Sequence, residues 1–186
     1  MRPFIRVSSM IVALTFFHIA GASAQPVAEA NTVTLTPFVG GGFGVSEDLG
    51  ASGAVGVAVG YDFTPHLGVE GEFAHLFDVA GTDANVDSPV QNYSANFVYH
   101  FDAKRVTPYA TFGLGVEHIG RSVKDPDVLA LYAPASTEVV YNLGGGVKYP
   151  ITQNFLARGD LRRFQANDLA PDYWRLYGGI TWWIKR

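Results

Sequence analysis

From about residue 32 to the C-terminus, apolar side chains alternate with small or polar ones at a period of two, and no convincing 3.6-residue period appears. Eight stretches carry this alternation, separated by turn or loop residues. They are 32–44, 51–63, 67–77, 90–101, 107–119, 137–150, 154–164 and 172–185. Each has roughly the 9–11 residues that a tilted strand needs to cross a bilayer. The faces differ consistently. In the second stretch Val55, Val57, Val59, Tyr61 and Phe63 oppose Ser52, Ala54, Gly56, Ala58 and Gly60. In the fourth, Tyr93, Ala95, Phe97, Tyr99 and Phe101 oppose Asn92, Ser94, Asn96 and His100. In the last, Trp174, Leu176, Ile180, Trp182 and Ile184 oppose Tyr173, Arg175, Tyr177, Gly179 and Thr181.

Alternation alone also suits a soluble sandwich or barrel, so the bulk of each face decides. A soluble barrel keeps its large apolar residues inside. Here the face opposite the aromatics is small and charged, which suits a narrow, crowded interior. The broad apolar face, with aromatics near its ends, suits lipid and its interfacial girdles. The connections alternate in length as well. Those at about 45–50, 78–89, 120–136 and 165–171 are mostly long, and those at 64–66, 102–106 and 151–153 are short, with Thr64-Pro65 and Pro150-Ile151-Thr152 as turn chemistry. Long extracellular loops and short periplasmic turns have this arrangement, with both termini on the periplasmic side. Because lipid offers no partner to a free strand edge, the sheet must close. The expected fold is all-β: an eight-stranded antiparallel up-and-down transmembrane β-barrel over residues 25–186.

The N-terminus adds an address. Arg2 and Arg6 precede the apolar run Met10–Ala20, and Gly21-Ala22-Ser23-Ala24 offers an A-x-A cleavage site, so residues 1–24 read as a cleavable signal peptide. The apolar run is shorter than the roughly 20 residues of a comfortable helical span. Removing it leaves 11 basic against 17 acidic residues, a net charge of −6. That balance argues against a nucleic-acid partner, which needs a basic face. With no cysteine there is neither a disulfide framework nor a thiolate metal site.

Residues 141–164, YNLGGGVKYPITQNFLARGDLRRF, resemble the penultimate hairpin of small outer-membrane β-barrel proteins, the outer-membrane protein A-like barrels and the porin-family β-barrel domain. The shared features are a Gly-rich strand ending in Lys-Tyr, a short turn with Asn, and a strand of alternating charges. The resemblance implies location in the outer membrane of a Gram-negative bacterium. It also implies contact with outer-membrane lipids and lipopolysaccharide, and insertion by the barrel-assembly machinery. Such chains usually end in an aromatic residue; this one ends Trp182-Trp183-Ile184-Lys185-Arg186. One branch of the group adds a periplasmic peptidoglycan-binding domain, which is not expected here. A monomer is expected.

The chemistry on offer is mostly that of the lumen. Glu70, Glu72, Glu117, Glu138 and Asp160 roughly balance Lys148, Arg158, Arg162 and Arg175, and we expect them to form a structural network bracing the interior. Arg158-Gly159-Asp160 spells an adhesion tripeptide. In a period-two strand, however, Arg158, Asp160 and Arg162 share the lumen face while Phe155, Ala157, Gly159 and Leu161 face lipid. Enzymes occur on this fold and need a nucleophile with a positioned base on the outer surface. His75 and His118 are expected outward near the extracellular rim, with Ser122 nearby, but Glu117 and His118 point to opposite faces. His66 reads as a turn residue and His100 as a lumen residue.

The extracellular loops are acidic, with Glu47, Asp48, Asp78, Asp83, Asp87, Asp125, Asp127, Asp168 and Asp172 against Arg121 and Lys124. This reads as solubility. Divalent cations bridging these carboxylates to lipopolysaccharide phosphates form the alternative, although the ligands are scattered. No cofactor is expected. The leading function is a non-enzymatic barrel with a structural or surface-interaction role. The competitors are a narrow channel or transporter for small or hydrophobic solutes, a lipid A-modifying enzyme, and an adhesin acting through loops 78–89 and 120–136.

Overall fold

A computed structural model describes residues 28–44, 51–77, 86–103, 105–120, 122–123, 136–166 and 172–185. The expected signal peptide, loop 45–50 and most of the other long loops lie outside the described residues. The strands in chain order are β1 (Thr32–Gly44), β2 (Ser52–Asp62), β3 (Leu67–Leu76), β4 (Val86–Asp87), β5 (Val90–His100), β6 (Thr107–Ile119), β7 (Ser122–Val123), β8 (Ser136–Pro150), β9 (Phe155–Ala166) and β10 (Tyr173–Lys185). Eight of them close an antiparallel barrel in the order β1-β10-β9-β8-β6-β5-β3-β2. Apart from β1 against β10, every neighbour in the barrel is its neighbour in sequence, so the topology is up-and-down.

All eight expected strands are present, with ends within a few residues of the sequence reading. One element goes beyond it: β4 and β7 pair as a separate two-residue ladder in what the sequence presents as loop. The connections that hold them spring from the same end of the barrel, flanking the β5–β6 pair. Extended backbone there satisfies its polar groups by pairing.

The barrel closes where β1 meets β10, from Val33↔Lys185 to Gly44↔Tyr173, with a register shift between Val33 and Thr34. Inside this seam the hydroxyls of Thr36 and Thr181 lie 2.8 Å apart. Closure matters because each unpaired backbone group facing hydrocarbon costs several kcal/mol. Two of the short turns use one device. Thr64 Oγ1 accepts from the backbone N–H of Leu67 at 2.9 Å, and Thr152 Oγ1 accepts from that of Phe155 at 3.2 Å. In both the chain reverses with a backbone bond into the next strand, Phe63 N–H to Leu67 O and Ile151 N–H to Phe155 O, each at 2.9 Å.

The two faces of the wall are opposite in kind. Outward lie Val39, Phe97, Leu114, Val139, Leu143 and Leu176, among many others, with Phe97 67% and Val39 64% exposed. Inward lie the charged and polar residues, buried against one another. This inverts a soluble core. Small residues make room for it: a Cβ on Gly144 would collide with Arg162, and one on Gly56 with the ring of Phe38.

Candidate functional site in the barrel interior

The centre of the lumen is a compact ionic cluster built from strands on opposite walls. Arg158, Asp160 and Arg162 project from β9, Arg175 and Tyr177 from β10, Glu70 and Glu72 from β3, and Tyr109 from β6. Alternate positions of a strand share a face, so β9 delivers three charges to one side of the wall in only five residues.

Arg158 grips Glu70 through both guanidinium ends, Nη1 to Oε2 and Nη2 to Oε1, the latter at 3.1 Å. Its Nε donates to the Tyr109 hydroxyl at 2.7 Å, and that hydroxyl donates to Asp160 Oδ2. Arg162 donates from Nε to Asp160 Oδ1 at 2.8 Å, and from Nη2 to Glu70 Oε1 and to the Tyr177 hydroxyl, both at 3.0 Å. Its Nη1 lies 3.2 Å from Glu72 Oε2. Glu72 also accepts from Arg175 Nη2. Asp160 therefore sits between two arginines, and three carboxylates face three guanidinium groups.

Arg162 and Arg175 are both 0% exposed. Charges so far from water are tolerable only when paired and hydrogen-bonded. Arg175 leaves its Nε and Nη1 without hydrogen bonds. Its guanidinium instead lies 4.5 Å from the Phe164 ring centroid and 5.4 Å from those of Phe38 and Tyr177. The negative ring faces supply what hydrogen bonds do not. Phe38 and Tyr177 are themselves stacked at 4.2 Å.

Layers of different character flank the cluster. Toward the long-loop end Leu76, Val90, Ile119, Val140, Phe164 and Tyr173 form a buried apolar plug. Beneath it Glu117 accepts from Asn92 at 3.0 Å and from the Tyr173 hydroxyl at 2.5 Å. Toward the short-turn end Lys148 Nζ lies 2.8 Å from His100 Nε2, and His100 Nδ1 lies 3.9 Å from Asp62. Leu156 and Trp183 close that end.

A closed eight-stranded barrel with an apolar exterior is the architecture of outer-membrane proteins, and residues 12–178 match the outer membrane protein beta-barrel domain. The chain belongs to that family. It is an integral protein of the Gram-negative outer membrane. No curated protein matches it in sequence. Among solved structures it is similar to Neisserial surface protein A, with a TM-score of 0.65 at 15% identity over 81% of this chain and 96% of that one. It is also similar to the N-terminal barrel domain of Pseudomonas aeruginosa OprF, with a TM-score of 0.61 at 19% identity over 82% and 97%. Ail of Yersinia pestis in complex with the heparin analogue sucrose octasulfate gives 0.55 at 15% identity over 83% and 98%. At these identities the likeness is one of fold.

Of the nine charged residues singled out from the sequence, six meet in ion pairs of this outer-membrane barrel: Glu70, Glu72, Arg158, Asp160, Arg162 and Arg175. Among the described residues, three stand apart from the ion pairs. Glu117 is held by neutral partners, and Lys148 by a histidine. Glu138, directly opposite Glu117 across the β6–β8 ladder, is only half-buried near the extracellular rim and joins no ion pair among the described residues. Period-two parity placed it on the inward side, but its height puts it above the ionic layer.

His75 and His118 sit on the outer surface, His118 Nδ1 lying 3.0 Å from Thr137 Oγ1, and His66 Nε2 pairs with Asp102 at 2.9 Å in the periplasmic turns. Reasoning from sequence passed over Tyr109 and Asp62. Both share parity with inward neighbours, Thr107 and Thr111 in one case, Ala58 and Gly60 in the other, and that signal would have found them.

Proposed function

We propose that this is a non-enzymatic outer-membrane barrel whose role is structural or at the cell surface, and whose lumen is sealed by its own side chains. The observation that carries the reading is the mutual neutralisation of Glu70, Glu72, Asp160, Arg158, Arg162 and Arg175 in a layer capped by the apolar plug around Leu76, Ile119, Val140 and Phe164. An ion crossing the barrel must both break paired charges and pass an apolar layer. An eight-stranded barrel is just wide enough to be filled in this way.

The test is planar-bilayer recording of the refolded full chain. We expect a flat baseline; reproducible unitary current steps would refute the sealed reading in favour of a narrow channel. Absence of enzymatic action is checked separately by mass spectrometry of lipid A from expressing and deleted strains, with unchanged acylation and phosphorylation expected. We further propose that residues 1–24 direct export and are removed. This rests on the Arg-flanked apolar run and the small residues before Gln25. Barrel insertion by the assembly machinery and a monomeric state belong to the same reading; the apolar girdle of a closed barrel needs only lipid to cover it.

A further inference from the structure

Among the described residues the outward face of the strands is apolar except at a few places near the extracellular rim, and one of these is a continuous row. His75 of β3 pairs laterally with Gln91 of β5, Gln91 with His118 of β6, and His118 with Thr137 of β8. Four neighbouring strands thus place four polar side chains side by side on the lipid-facing side. At the interstrand spacing of about 4.8 Å the row spans roughly 14 Å. The next outward row beneath is apolar: Phe73, Tyr93, Val116 and Val139 in the same lateral register. The rings of Phe73 and Tyr93 lie 5.0 Å apart, and that of Phe77, above, meets His75 at 5.2 Å. Aromatics at this level mark the boundary between hydrocarbon and headgroups.

Every member of the row, two imidazoles, an amide and a hydroxyl, can donate a hydrogen bond. The Tyr93 hydroxyl donates to Gln91 Oε1 at 3.4 Å, a bond that engages the amide oxygen and not its N–H groups. His118 Nδ1 lies 3.0 Å from Thr137 Oγ1, so these two neighbours in the row are linked to each other. No described residue on the outward faces of β3, β5, β6 and β8 is a carboxylate, in a chain with 17 acidic residues against 13 basic ones; the nearby Glu117 points inward. The rim on the other side of the barrel differs. There Arg163 is already neutralised by Asp172 at 2.9 Å, and Gln165 donates to the same carboxylate at 3.1 Å.

We propose that His75, Gln91, His118 and Thr137 form a binding site for the phosphate groups of lipopolysaccharide in the outer leaflet. A row of side chains able to donate hydrogen bonds at headgroup level, on strands with no outward carboxylate among the described residues, is complementary to a phosphorylated sugar whose acyl chains lie along Phe73, Tyr93, Val116 and Val139. Donors to a charged oxygen form the stronger class of hydrogen bond. The site lies on the outside of the barrel and is independent of whether the lumen conducts.

The refolded full chain in detergent micelles is incubated with diphosphorylated lipid A, with its dephosphorylated form, or with phosphatidylglycerol, and bound lipid is counted by native mass spectrometry. We expect diphosphorylated lipid A to be retained about tenfold over either alternative, as a difference of one or two charge-assisted hydrogen bonds would give. The triple variant H75A/Q91A/H118A loses that preference, and H75K/H118K keeps or strengthens it. Equal retention of the dephosphorylated lipid, equal retention of phosphatidylglycerol, or an unchanged preference in the triple variant would each overturn the assignment.

Discussion

Asp160 shows how much a single buried carboxylate carries. It bridges Arg158 and Arg162 and accepts from Tyr109. Asp160→Asn keeps the shape but leaves two buried arginines short of one countercharge. We expect a loss of about 3–5 kcal/mol, the cost of breaking a buried pair from one side. Equilibrium urea unfolding from phospholipid vesicles, followed by tryptophan fluorescence, reads it.

Asp172, at the solvent-facing rim, offers a milder case. The hydrogen bond from Arg163 holds its carboxyl below the usual carboxylate range, with Gln165 adding to the effect. A depressed folded-state value means the pair contributes stability above the unfolded value, and loses it as pH falls through the folded one. Carbon-13 NMR of the Asp172 carboxyl is expected to show titration below the ordinary range, and Arg163→Met to move it back up. At this exposure the effect on stability is small.

At the scale of the strand, glycine positions separate the two faces of the wall. In β8, Gly144 lies against Arg162 and the backbone of Leu161, so any side chain there meets the central cluster. In β9, Gly159 faces outward, and the nearest atom to an added Cβ is Val147 Cγ2 at 3.9 Å. Gly144→Val should therefore prevent formation of the heat-sensitive, fast-migrating barrel on a gel. Gly159→Ala should preserve it, and add a little stability by restricting the unfolded chain. This contrast bears on the Arg-Gly-Asp tripeptide: its glycine faces the lipid side and its charged ends face inward, so none of it is offered to a partner outside the cell.

For the whole molecule, the proposed export and removal of residues 1–24 set what remains in the mature chain. Intact-mass measurement of protein purified from the outer membrane is expected to give a chain beginning at Gln25, and retention of residues 1–24 would count against the signal-peptide reading. The proposed seal of the interior gives a second global expectation, a flat bilayer recording. It also accounts for the unusual placement of polarity. In lipid the exterior gains nothing from being polar, so the chain directs its charges to the one place where they can satisfy each other. The apolar plug near the extracellular rim then resembles the core of a small soluble protein, set where the strands approach water.

Strand number, face assignment and closure were legible in the linear chain. Alternation at period two is a local property of each strand, and hydrocarbon, which offers no partner for an open edge, leaves closure as the only outcome. Val55 to Phe63, Tyr93 to Phe101 and Arg158 to Arg162 all declare their sides without reference to anything distant. The partners of the charges were not legible. Glu70 and Arg158 are separated by 88 positions and meet across the lumen because strand tilt and stagger bring β3 and β9 to the same height. The same stagger lifts Glu138 out of the cluster, gives Lys148 a histidine in place of a carboxylate, and sets Tyr109 between Arg158 and Asp160. Parity is written residue by residue, whereas height in the barrel depends on the register of every strand at once. Only the closed structure decides it.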